Sequence, residues 1–112
     1  MSDCIFCKIV AGEIPSKRVY EDEHLIAFHD IHPKAPVHVL VIPRKHIDSL
    51  AEATAADAAL LGHATLTLPK IARELGLDQG FRTIVNTGPG GGQEVYHLHY
   101  HILGGPSRLP FV

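Results

Sequence analysis

An α+β fold is predicted, with about five short strands in one antiparallel sheet and a long helix packed on one face. Three observations in the 112 residues carry that prediction. Short apolar runs bounded by Gly, Pro, Asn and Asp follow one another in hairpin order. One long stretch repeats its apolar residues at helical spacing. His97, His99 and His101 alternate with Leu98, Tyr100 and Ile102, which is the period of a strand.

From Cys4 to Val10 the apolar residues are Ile5, Phe6, Ile9 and Val10, the spacing of a short amphipathic helix. Gly12 and Pro15 end it. Val19-Tyr20-Glu21 and Leu25-Ile26-Ala27-Phe28 read as two strands around a tight turn at Glu21 to His24. Asp30 to Pro36 contains two prolines and reads as a loop. Val37 to Ile42 is apolar and β-branched, a strand that Pro43-Arg44-Lys45 ends. Thr54 to Asp57 resembles a capping box with Asp in place of Glu. A helix is predicted from there to Leu75, with Gly76 as its C-cap residue. Leu60, Leu61, Ala64, Leu68, Ile71, Ala72 and Leu75 form its apolar stripe, and Pro69 inside it is expected to kink it. Phe81 to Asn86 and Val95 to Leu103 are the remaining strands, joined by the glycine-rich Thr87 to Gln93. Leu98, Tyr100 and Ile102 should face the long helix, and the histidines the other side.

Composition narrows the function. The length suggests one domain, residues 1–112. The hydrophobic fraction of 46% is that of a globular chain. A net charge of −2, with both signs mixed along the chain, offers no basic block for a nucleic-acid backbone. No apolar run approaches the roughly 20 residues of a membrane span. Met1-Ser2-Asp3-Cys4 lacks the basic and apolar regions of a signal peptide. Two cysteines do not make a disulfide framework. The expectation is a soluble, cytoplasmic protein with neither nucleic-acid nor membrane partners.

Nine histidines are many for this length, and three of them fall between 97 and 101. Imidazole serves as acid, base, nucleophile or metal ligand near neutral pH. One ion held by all three is excluded for a regular strand. His97 and His101 would be about 13 Å apart at the backbone, whereas zinc needs its ligand nitrogens about 2 Å from one point. The row suits separate contacts along an extended ligand such as a phosphate ester. A merely solvated face would not call for three imidazoles.

Upstream, Gly88-Pro89-Gly90-Gly91-Gly92-Gln93 could bring backbone N–H groups to an anion or be an ordinary loop. No Gly-Lys-Ser/Thr follows, so it is not a Walker loop. Cys4-x-x-Cys7 is half a zinc site, a redox pair or chance, and its position at the start of the chain disfavours the redox reading. His63 reads as a satisfied or exposed histidine of the helix, and His24 and His32 as loop surface. His29, His38 and His46 stay open.

The run His97-Leu-His-Tyr-His-Ile-Leu103 resembles the His-x-His-x-His-x-x signature of the histidine triad nucleotide-binding proteins. Cys4-Ile-Phe-Cys-Lys-Ile9, Phe28-His-Asp-Ile31, Ala35 to Pro43, Leu60-Leu-Gly-His63, Val85-Asn-Thr-Gly88 and Gly91 to His97 are similar to the Hint branch of that family. The resemblance spans nearly the whole chain. It implies a five-stranded antiparallel sheet with two helices, extended across a homodimer. The implied activity is hydrolysis of purine nucleoside phosphoramidates, such as an AMP amide, to the monophosphate and an amine. Alternatives are a dinucleoside polyphosphate hydrolase of the same superfamily and a nucleotide-binding protein of little turnover.

By position, the resemblance makes His99 the nucleophile that forms a covalent nucleotidyl-histidine. The carbonyl of His97 would orient its ring, His101 would contact a phosphate oxygen, and His38 would support the triad and proton movement. Backbone N–H groups of Gly92, Gln93, Glu94 and Val95 would stabilise the phosphate charge. Asn86 would assist at the phosphate and sugar, and Asp30 would accept the ribose hydroxyls. Ile5, Phe6, Ile9, Phe28 and Ile31 would line the purine slot. Similar bacterial proteins that open with Cys-Ile-Phe-Cys bind a structural zinc, which implies Cys4, Cys7, His46 and His97 as ligands here. The chemistry of the family needs no catalytic metal. Two departures bear on the leaving group: Glu94 stands where animal members have a serine, and the tail from Pro106 lacks their tryptophan.

Overall fold

A computed structural model describes residues 3–110. A short helix, α1 (Ile5–Val10), precedes the strands β1 (Arg18–Glu21), β2 (Leu25–His29) and β3 (Val37–Pro43). The long helix α2 (Ala58–Glu74) follows, then β4 (Arg82–Ile84) and β5 (Tyr100–Gly104). The five strands form one antiparallel sheet in the order β1-β2-β3-β5-β4. This is the α+β architecture expected from the sequence.

Strand alternation builds two cores from the same strands. Leu25 and Ala27 of β2, with Val39 and Val41 of β3, pack under Ala64, Leu68 and Ile71 of α2. Their neighbours Ile26, Phe28, Leu40 and Ile42 face the other side, against Phe6 and Ile9 of α1. Both faces of the central strands are therefore covered, which is why Val37 to Ile42 is nearly continuous in apolar residues. His38 shares a face with Leu40 and Ile42, and His101 lies directly across from Leu40. The two histidines are thereby placed on the α1 side of the sheet.

The ends of α2 are chemically defined. Thr54 and Asp57 make the reciprocal hydrogen bonds of a capping box, one 3-10 turn ahead of the helix. At the other end Gly76 takes φ +83°, and the N–H groups of Gly76 and Leu77 donate to the carbonyls of Arg73 and Ala72. That is a Schellman ending, and it requires the left-handed conformation glycine tolerates. Pro69 sits inside α2 without ending it.

Two strand boundaries differ from expectation. The last strand begins at Tyr100, not Val95. Ahead of it, Leu98 donates its N–H to Ile47 at 2.7 Å, and the buried Gln93 side chain holds the Val95 carbonyl at 3.0 Å. Those bonds tie residues 95–99 to the 47–48 loop, away from the sheet. β4 is Arg82–Ile84, shorter than the expected Phe81 to Asn86, and its partners are Leu103, Ile102 and His101.

Candidate functional site

The site is built from imidazoles whose protons are placed by their neighbours. A carbonyl can only accept and a backbone N–H can only donate, so each contact of either kind sets a ring's tautomer. His99 Nδ1 lies 2.8 Å from the carbonyl oxygen of His97. It must donate there, which in the neutral ring leaves Nε2 of His99 with a bare lone pair, the form a nucleophile requires. Phe6 packs edge-on against this ring, with centroids 5.2 Å apart.

Beside it, His101 Nδ1 and His38 Nε2 are 2.9 Å apart, and His38 Nδ1 accepts the N–H of Lys34 at 2.9 Å. One oxygen of Asp30 lies 3.4 Å from His38 Nε2, while the other accepts the N–H of His32. Burial holds His38 below the ordinary imidazole value, with Asp30 acting against the shift. Burial, reinforced by His99 and His38, pushes His101 down to about 4. Both rings are neutral near pH 7. Nε2 of His101 is buried and has no hydrogen-bond partner among the described residues. An orphaned polar group of this kind costs roughly 1–3 kcal/mol, a penalty that an acceptor brought by a ligand would relieve.

A second cluster gathers at the amino-terminal helix. Cys4, at the N-cap of α1, and Cys7, one turn later, meet His46 and His97, all four ligand atoms lying within 4.8 Å of one another. The Cys4 sulfur is 3.3 Å from His97 Nδ1, and the Cys7 sulfur is 3.2 Å from His46 Nδ1 and 3.6 Å from His97 Nδ1. Sulfur and nitrogen ligands of a tetrahedral zinc are about 3.6 Å apart. The far nitrogens are tied down as well. His97 Nε2 donates to the Pro43 carbonyl at 2.8 Å, and His46 Nε2 is 2.6 Å from a carboxylate oxygen of Asp48. Both Nδ1 lone pairs therefore face the sulfurs, and the outer partners are those a metal-binding imidazole needs. Burial, and then the neighbouring Cys4, raise the Cys7 thiol above its ordinary value. A cation between the sulfurs would reverse that shift. Donor set, spacing and outer contacts all fit a zinc ion.

The ligand atoms of Asp30, His38 and His101 also lie within 4.8 Å of one another. There, however, His38 Nε2 carries a proton, because its Nδ1 accepts from Lys34. That group is a hydrogen-bonded chain rather than a set of converging lone pairs.

Two clefts meet at His99 and His101. One, of about 970 Å³, is walled by Ile5, Phe6, Ile9 and Phe28, with Asp30 and Ile31 at its edge. The other, of about 570 Å³, is bordered by His38, Asn86, Gly92 and Glu94, and by Leu109 and Pro110 of the tail. Glu94 and Asp30 line both. Arg82 holds the tail there by donating to the carbonyls of Leu109 and Pro110.

Most residues singled out in the sequence thus converge on one face, with two differences. Gln93 lines neither cleft: its buried side chain binds Gly88, Asp48 and Val95 and shapes the loop from within. The loop amides are also only partly available, because Gly92 and Gln93 donate theirs to Pro89 and Gly88. Among the described residues of this stretch, Glu94 and Val95 keep amides without an intramolecular acceptor. His63 pairs with Asp22 at 2.8 Å, remote from the site. Sequence reasoning missed Ser16 and Lys17 in the larger cleft and Lys34 and Arg82 in the smaller, none of which belongs to a motif or a periodic face.

Fold and site together define a class: an α+β protein in which a row of imidazoles borders a cleft large enough for a nucleotide. The HIT domain profile matches residues 11–108, and the chain belongs to the HIT domain family. It is 56% identical over 106 residues to Protein HitA of Neisseria gonorrhoeae, covering 95% of this chain and 99% of that protein. It is 47% identical over 105 residues to a 14 kDa zinc-binding protein of Brassica juncea, covering 92% and 93% of the two. Among solved structures, a histidine triad protein from Clostridium difficile superposes with a TM-score of 0.94 at 53% identity, over 100% of this chain and 97% of that one. A HIT family hydrolase from Legionella pneumophila gives 0.90 at 46% identity, over 94% and 95%.

Proposed function

We propose that this single-domain protein hydrolyses purine nucleoside 5'-phosphoramidates through a covalent nucleotidyl-His99. The observation that carries the reading is the pinned tautomer of His99, which presents a bare Nε2 where two clefts meet. The kinship with a HIT family hydrolase supports it. The apolar cleft takes the purine between Phe6, Ile9 and Phe28, with Ile5 and Ile31 at the rim, and the smaller cleft takes the amine. Asp30 accepts the ribose hydroxyls, since a carboxylate retains acceptor capacity beyond the two contacts it already makes. Asn86 assists at phosphate and sugar.

In the first step the lone pair of His99 Nε2 forms a bond to the α-phosphorus. The P–N bond breaks, and the amine leaves with that electron pair and takes up a proton from solvent, which reaches it through the open clefts. The Nε2–H of His101 and the amides of Glu94 and Val95 hold the phosphate charge as it grows. In the second step water bonds to phosphorus, Nε2 leaves with its electrons, and the nucleoside monophosphate and a proton are released. Splitting one displacement into two lowers each barrier.

A structural zinc would be held by Cys4, Cys7, His46 and His97, and the Brassica relative supports this. Such an ion supplies rigidity rather than reaction chemistry. Through His97 the ligands position the carbonyl that orients His99, and through Cys4 and Cys7 they anchor Phe6. We further propose a cytoplasmic homodimer in which the sheets join. It is supported by a short edge strand, β4, that has no neighbour on its outer side.

The test is rapid mixing with an AMP amide followed by mass spectrometry. A nucleotidyl adduct on His99 is expected, and His99→Ala should lower turnover by about a thousandfold or more while retaining AMP binding. Unchanged turnover in that variant would overturn the assignment.

A further inference from the structure

The chain of rings behind the phosphate site has a closed end. His38 Nδ1 is 2.9 Å from the backbone nitrogen of Lys34, which can donate and cannot accept. The ring proton of His38 therefore sits on Nε2, directed at His101 Nδ1 2.9 Å away. His101 must accept there, so its own proton sits on Nε2, the buried atom without a partner. Each tautomer follows from the one before it, and the first follows from an amide.

The segment that carries this amide is well held. Pro33 and Pro36 flank Lys34-Ala35 and restrict the backbone. The N–H of Asp30 donates to the His38 carbonyl at 3.0 Å and closes the loop. Pro36 lies over Gly105 so closely that a Cβ at 105 would stand 2.9 Å from the proline ring.

We propose that the backbone N–H of Lys34 is a positioning group: it fixes the tautomers of His38 and His101, so that His101 offers a permanent Nε2–H to phosphate and the pair does not relay protons. A relay must take up a proton at one end and release it at the other. Here the far end is an amide hydrogen, which does not dissociate near neutral pH. The groups facing the two rings act in opposed directions. Burial and the Lys34 ammonium oppose a second proton on either ring, His99 adds to that at His101, and Asp30 alone favours it. The proton for the leaving amine must come from outside this pair. The identity of the acceptor rests on the phosphoramidase reading above; the tautomers do not.

The experiment is nitrogen NMR of the histidine rings in the full-length protein at about pH 7 to 8. His38 and His101 should each show one protonated nitrogen, Nε2, both before and after AMP is added. A proton on His38 Nδ1, or a doubly protonated His38 at pH 7, overturns the proposal. Lys34→Pro deletes the amide hydrogen and should release His38 from its single tautomer, whereas Lys34→Ala, which keeps it, should not. If the proline variant does not fold, the wild-type spectra still decide. Kinetics gives an independent reading. His38→Ala should lower kcat by about a hundredfold, the usual effect of losing a preorganised donor. His38→Gln, which keeps a donor for His101 but no transferable proton, should recover about tenfold of that loss, well within what general acid–base catalysis would forfeit. Equal losses in the two variants would mean that His38 does carry a proton. Failure of the wild type to cleave an AMP amide would remove the phosphoramidase reading and leave the tautomer result standing.

Discussion

The metal-type cluster and the phosphate-side pair use the same side chain to opposite ends. His97 and His46 each donate the Nε2 hydrogen to an oxygen acceptor, so their Nδ1 lone pairs converge on two sulfurs. His38 instead accepts a hydrogen bond from an amide, and His101, one ring further, ends the line with a donor. Acceptors behind a ring make it a ligand, and a donor behind a ring makes its far edge a donor. His99 lies between the two regions and belongs to the first kind, since a carbonyl stands behind it. The atom behind each imidazole thus decides what that imidazole can do, and burial favours the neutral form of His38, His97 and His101.

The comparison breaks most severely on the sulfur side. Cys4→Ser should abolish stoichiometric zinc, measured by metal analysis of protein purified without added metal. It should also lower the melting temperature and weaken AMP binding, because α1 carries Phe6 between the two cysteines. Unaltered stability and AMP affinity would mean that the four residues are not a structural centre. A smaller effect is expected one layer out. Asp48→Ala leaves all four ligands in place but frees His46, and should weaken zinc binding by about 10- to 100-fold in a competition titration with a chelator.

The smallest effect is on the other side and is read as pH dependence. In the unfolded chain His101 takes a proton near pH 6.5, whereas in the folded chain it resists one down to about 4. Between those values the unfolded state binds more protons, so stability rises with pH across the window. The contribution is complete above about 6.5 and is lost as pH falls toward 4. His38, displaced in the same direction, adds to it. His101→Gln should flatten the dependence of melting temperature on pH over that range relative to wild type. An identical slope in the two proteins would contradict the neutral pair.

Fold class, strand order of appearance, the capped helix and its Gly76 ending were legible in the sequence, because period, cap chemistry and turn residues all act locally. The 95–99 segment was not. Its alternation is that of a strand, and Leu98, Tyr100 and Ile102 are indeed buried, yet the backbone is drawn to Ile47 and into the grip of Gln93. Those partners lie far away in sequence and leave no periodic trace. For the same reason Gln93 read as a residue touching ligand when it is a strut inside the loop. The residue types at the site were visible, and so was the grouping that the family resemblance implied. The tautomers were not, since they depend on which carbonyl or amide folding brings behind each ring.

Cys4 and His97 are 93 positions apart, and they meet beside Phe6, which walls the larger cleft. A ribosome making this chain adds His97 only long after Cys4. Until then the six-residue α1, too short to persist alone in water, lacks the imidazole that both of its sulfurs face. The cleft wall that α1 supplies is therefore completed only across a long span of sequence, and a nascent chain lacking residue 97 carries Phe6 without the ring that packs edge-on against it.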